Sequence, residues 1–125
     1  MMKVVVGGQI NKQEIADLSK KIMGDKGEVE VKGDLEAAMS LKSGENDYYI
    51  GACNTGGGGA LALAIALLGA DNCATISMPG KILSREEIEN CVSQGKTAFG
   101  FTAQHAEEVL PILLNALMKK VEEKK

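Results

Sequence analysis

The run Gly51-Ala52-Cys53-Asn54-Thr55-Gly56-Gly57-Gly58-Gly59 sets a thiol, an amide and a hydroxyl directly before four consecutive glycines. A wholly apolar stretch follows over residues 60–68, and Asn46-Asp47-Tyr48-Tyr49-Ile50 precedes it, with the aromatic and β-branched residues of a buried strand. Strand, glycine-rich loop and helix in that order put the loop on a helix N-terminus. Backbone N–H groups lack intrahelical partners there, and the helix dipole favours an anion. A tight turn between strand and helix needs only one or two glycines, and each glycine costs roughly 1 kcal/mol against Ala in a helix interior. Close approach of a ligand to bare backbone is the gain that offsets such a cost. Cys53, Asn54, Thr55, Gly56, Gly57, Gly58 and Gly59 are therefore candidate ligand contacts, with Thr55 also suited to cap the helix.

Named phosphate motifs do not fit this loop. A P-loop needs Lys and then Ser or Thr after its second glycine, but Gly57 and Gly58 follow Gly56. A dinucleotide fingerprint started at Gly56 needs Gly or Ala where Leu61 stands. A cysteine phosphatase loop needs an arginine at its far end, and Arg85 is the only arginine in the chain. What remains is a general anion nest of backbone amides.

Cys53 at a helix N-terminus gains thiolate character, and as a nucleophile it would want a base. His105, the sole histidine, falls just after the last expected strand. Cys53 and His105 stand as catalytic candidates with no reaction assigned. Lys81 follows the Pro79-Gly80 turn signal and could reach an anionic ligand. Thr102 and Gln104 are peripheral candidates, whereas Cys73, Cys91, Tyr48 and Tyr49 read as packing residues.

Five short apolar segments at 3–7, 28–32, 47–51, 73–77 and 97–101 alternate with helical ones at 11–23, 34–43, 57–68, 84–94 and 102–123. Ile15, Leu18 and Ile22 share one stripe, as do Ala106, Leu110, Leu113, Leu114, Leu117 and Val121. Asn11 with Glu14, and Ser84 with Glu87, have capping-box spacing. Gly24, Gly44, Gly69 and Gly95 each stand just past a helix.

Strict alternation implies parallel strands with right-handed crossovers. The expected fold is α/β, a three-layer doubly wound five-stranded parallel sheet of order 2-1-3-4-5, Rossmann-like or flavodoxin-like, in one domain over residues 1–125. Ligands bind such sheets beyond the carboxyl ends of the strands, where the order reverses. Here that point lies between strands one and three, so Gly7, Gly8 and Gln9 join the candidate cradle. In this order His105 lies two strands from Cys53, roughly 10 Å at about 4.8 Å per strand, too far for a direct dyad.

The helix at 60–68 has no polar face. Leu61, Ile65 and Leu68 make one apolar stripe, with Leu63 and Leu67 nearly opposite. A homodimer or larger homo-oligomer through this helix is expected, unless flanking helices of the same chain cover it.

Composition narrows the classes. Net charge is −3, aromatic content is 3% and Trp is absent, so the basic stripe with stacking aromatics of nucleic-acid binders is missing. No apolar run reaches the 18 or so residues of a membrane span, and the first eight residues lack a signal peptide's apolar region. A cytoplasmic protein is expected, with no nucleic-acid or membrane partner. Three cysteines without a CxxC pair argue against a disulfide framework and a zinc site, and neither a metal nor a cofactor is expected.

Residues 47–61, together with Asp34-Leu35-Glu36-Ala37-Ala38-Met39 and Gly95-Lys96-Thr97-Ala98-Phe99-Gly100, resemble the YhfU-like family of small, uncharacterised, glycine-rich bacterial proteins. The resemblance spans most of the chain and implies the α/β fold. Its members are typically encoded beside transport, pyridoxal-phosphate and phosphotriesterase-like proteins, which implies small-molecule catabolism. The resemblance carries over no catalytic residue. Cys53-Asn54-Thr55-Gly56 is also similar to the Cys-x-x-Gly loop of the cysteine-phosphorylated subunits of sugar phosphotransferase systems. There the cysteine follows the first strand, whereas here Gly7-Gly8-Gln9 holds that place.

The leading expectation is a binding protein for a small anionic metabolite, phosphorylated or carboxylated, acting as a sensor or accessory subunit. A Cys53-dependent enzyme or phosphocarrier and a non-catalytic structural subunit are the alternatives.

Overall fold

A computed structural model describes residues 1–54 and 58–123. The chain runs β1 (Met2–Gly8), α1 (Lys12–Met23), β2 (Gly27–Val31), α2 (Asp34–Lys42), β3 (Tyr48–Cys53) and α3 (Gly58–Leu68). It continues through β4 (Cys73–Thr75), β5 (Ser77–Met78), β6 (Lys81–Ile82), α4 (Arg85–Ser93), β7 (Ala98–Thr102) and α5 (Ala106–Glu123). Every expected strand and helix is present. Gly24, Gly44, Gly69 and Gly95, placed just past helices, all have positive φ. Ser84 and Glu87 form a complete capping box. Asn11 does not: it takes a left-handed conformation, φ 55°, and its side chain caps nothing.

β1, β2, β3, β4 and β7 form one parallel sheet in the order β2-β1-β3-β7-β4, an α/β fold of the Rossmann or flavodoxin kind. The expected order 2-1-3-4-5 is corrected at its end, because the last strand lies inside the sheet beside β3. Burial supplies the reason. β7 reads Ala-Phe-Gly-Phe-Thr and is buried throughout, with Phe99 and Phe101 fully inside. Such a strand needs a layer on both faces and a partner on both edges. β4 is three residues long with only Cys73 buried, which suits an edge.

A right-handed return from β4 to β7 requires α4 on the α1 and α5 side, and there α4 packs on α5. That layer covers a core of Val4, Val6, Ile50, Phe99, Phe101, Ile15, Ile88 and the leucines of α5. On the other face Val5, Tyr49 and Ala98 pack against Ala37, Ala38, Leu61 and Ala64, from α2 and α3 alone. The corrected order thus leaves α3 with α2 as its principal α-helical neighbour among the described residues. Leu63 and Ile65 stay exposed, although Ile65 was expected on one stripe with the buried Leu61.

Candidate functional site

β1, β3 and β7 end side by side at the carboxyl edge of the sheet, and their ends differ in how their polar groups are used. At β1, the Gly8 N–H is shared between Asp34 Oδ1 at 3.2 Å and the Tyr49 hydroxyl at 3.0 Å. Tyr49 in turn donates to Asp34 Oδ1 at 2.5 Å. The Gln9 N–H donates to the Ala52 carbonyl at 3.0 Å, and Ile10 N–H to the same oxygen at 3.4 Å. The amides of Gly8 and Gln9, expected to complete an anion cradle, are thus taken up inside the protein. A carboxylate at this spot also opposes an anion directly.

The glycines here make room. Gly7, Gly51 and Gly100 stand in one register row across β1, β3 and β7. A Cβ on Gly7 would meet Tyr49 Cε2 at 2.6 Å and Ala37 Cβ at 2.9 Å. One on Gly51 would meet the Tyr49 hydroxyl at 3.0 Å. The bare backbone lets the Tyr49 ring lie flat enough for its hydroxyl to reach Asp34. Burial, reinforced by the bond to Asp34, pushes the Tyr49 hydroxyl well above the usual tyrosine range, so it stays a proton donor. Asp34 is the partner that sequence reasoning missed. It reads as an ordinary acidic residue in a first helical turn, and nothing local signals a tyrosine 15 positions on.

At the end of β7 the situation is reversed. Cys53, buried at 2% exposure, pairs in register with Thr102. Tyr49 and Ala98 pack with Leu61 and Ala64 of α3, so strand alternation turns Cys53 and Thr102 toward the α3 layer as well. The Thr102 N–H donates to Ser77 Oγ at 3.0 Å. Its own Oγ1 is buried without a hydrogen-bond partner, as is His105 Nδ1, three residues later in a short 3-10 turn at Ala103–His105. Ser19 Oγ on α1 completes the set of such atoms among the described residues.

The sheet order therefore brings the β7 end, with Thr102 and His105, beside the Cys53 end instead of two strands away. It moves Lys81 outward: that exposed residue sits on the β5–β6 hairpin after the edge strand, two strands from β3. Asn54 follows Cys53 and is exposed. Thr55, Gly56 and Gly57 lie outside the described residues, and Gly58 and Gly59 open α3. Cys73 is buried as expected, Cys91 is only half-buried against the core, and burial pushes both up in pKa.

Cavities elsewhere suit an anion poorly. One of about 240 Å³ lies between α1 and the start of α5 and carries Glu14 and Glu107 on its rim. A larger one of about 500 Å³ sits at the opposite end of the sheet among Lys3, Lys20, Glu28, Glu30 and Glu45. Among the described residues no helix is long and apolar enough to cross a membrane.

A family described as "Protein of unknown function DUF2620" matches residues 2–117. "Uncharacterized protein YhfU" of Escherichia coli K12 and of Shigella flexneri are each 49% identical to the chain over 90 residues, 72% of this chain and 77% of theirs. The structure is similar to that of ribose-5-phosphate isomerase B from Giardia lamblia, with a TM-score of 0.70 over 94% of both chains. At 17% identity that likeness speaks for the fold alone. The family match spans nearly the whole sequence and the YhfU proteins share half of the aligned residues, so this chain belongs to the DUF2620 family and is YhfU-like.

Proposed function

We propose that this protein binds a small anionic metabolite at the carboxyl edge of its sheet, as a cytoplasmic sensor or accessory subunit of a catabolic pathway. The observation that carries this reading is the start of α3 at Gly58, just past the end of β3, the strand beside β1 at the point where the strand order reverses. Asn54, Thr55 and the glycines at 56–59 supply the cradle, and the β1 end with its committed amides forms a wall. A phosphorylated ligand is preferred over a carboxylated one, because the fold neighbour is named for a sugar phosphate.

A thermal-shift screen of phosphorylated sugars and organic acids tests the proposal. A ligand at about 100 times its Kd adds roughly 2.7 kcal/mol of stability. A silent panel contradicts the reading.

A second reading, a Cys53-dependent enzyme, is favoured by the register of Cys53 with Thr102 and by the His105 turn beyond it. It requires Cys53 to be alkylated ahead of Cys73 and Cys91, and Cys53→Ser to abolish conversion of whatever substrate the screen identifies. Function unchanged in that variant ends this reading. Self-association through helix 60–68 is part of the proposal, supported by the exposed Leu63 and Ile65.

A further inference from the structure

We propose that the Thr102 hydroxyl forms a hydroxyl-reading wall of the candidate site, so that its ligand is a polyhydroxylated anion and not a bare one. The inference rests on the anion-binding reading above and narrows its ligand class.

Buried polar atoms in folded proteins are almost always paired, and each exception calls for a reason. Two of the three exceptions among the described residues fall within four positions, at the end of β7. Thr102 is 1% exposed. It immediately precedes a helical turn, where a threonine hydroxyl ordinarily caps a backbone N–H, yet its side chain caps nothing. Its backbone is held independently by Ser77 Oγ. Valine has the same branched shape and an equal preference for strands, so the hydroxyl adds nothing to the fold. It faces the layer of α3, across from Cys53, at the end of the sheet where α3 begins. A ligand hydroxyl or carbonyl oxygen beside an anion held on α3 would satisfy it.

The test compares inorganic phosphate with ribose 5-phosphate, by calorimetry and thermal shift, on the full chain and on Thr102→Val and Thr102→Ser. The wild type is expected to prefer ribose 5-phosphate by about tenfold, the size of one well-made hydrogen bond to a buried group. Thr102→Val keeps its affinity for phosphate, loses that preference and melts no lower than wild type without ligand, while Thr102→Ser retains most of the preference. Equal affinity of the wild type for both probes, or a preference that survives in Thr102→Val, overturns this inference and leaves anion binding standing. Failure of both probes to bind the wild type overturns the two together.

Discussion

At the end of β1, Gly7 and Gly8 belong to a closed set of contacts: every polar group named there, the Gly8 and Gln9 amides, Asp34 Oδ1 and the Tyr49 hydroxyl, has a protein partner. Around the ends of β3 and β7, one and two strands over, the β7 end differs: Thr102 and His105 keep buried atoms with none. Both regions are rich in glycine in the sequence. The difference teaches that glycine by itself marks close approach, either of a side chain such as Tyr49 or of a guest. Unmet polar capacity is what separates the two.

Five substitutions break or sharpen that contrast. Gly8→Ala has the largest expected effect. Gly8 has φ +80°, and an added Cβ would lie 2.6 Å from the Ala52 backbone nitrogen. Left-handed strain of about 1–2 kcal/mol adds to overpacking of about 1–3 kcal/mol. A loss of roughly 3 kcal/mol in urea unfolding is expected, and a loss under about 0.5 kcal/mol refutes the closed account of β1.

Tyr49→Phe comes next, at about 2 kcal/mol for a buried hydrogen bond to a charged group. It carries a pH signature. The folded hydroxyl holds its proton above the ordinary tyrosine pKa of about 10. Stability from this group is complete below that pH and falls as pH rises past it, because the unfolded chain releases a proton that the folded one keeps. The gap between wild type and Tyr49→Phe should therefore narrow above about pH 10, and a constant gap contradicts the burial argument.

Thr102→Val should act in the opposite direction. Removing an unpaired buried hydroxyl gains up to about 1 kcal/mol without ligand. A loss greater than that in chemical denaturation means the hydroxyl has a structural partner. The smallest effect on folding belongs to Leu63→Glu and Ile65→Lys, each within about 0.5 kcal/mol at an exposed position. Sedimentation should nevertheless show the proposed oligomer falling to monomer. An unchanged mass means that α3 is not the self-contact.

Much of the architecture was legible. Apolar periodicity and the punctuating glycines located the five α-helices and the five strands of the parallel sheet, though not the β5–β6 hairpin, because those signals are local. The place of β7 was not, since strand order depends on which strand is buried on both faces. Its clue was the pair Phe99 and Phe101, set against the short segment at Cys73. The Asn11 cap failed because spacing cannot report a left-handed backbone. In the candidate site, Cys53 and His105 were recognised as chemistry-bearing residues, but their separation inherited the error in strand order. The Tyr49–Asp34 contact joins two elements and was invisible to any local pattern.

The most direct test is a titration of the labelled protein with inorganic phosphate, followed by amide chemical shifts. The account predicts changes concentrated at residues 53–59 and 102–105, with Gly7, Gly8 and Gln9 unmoved. Shifts centred on Gly7, Gly8 and Gln9, or none at any phosphate concentration, would contradict it.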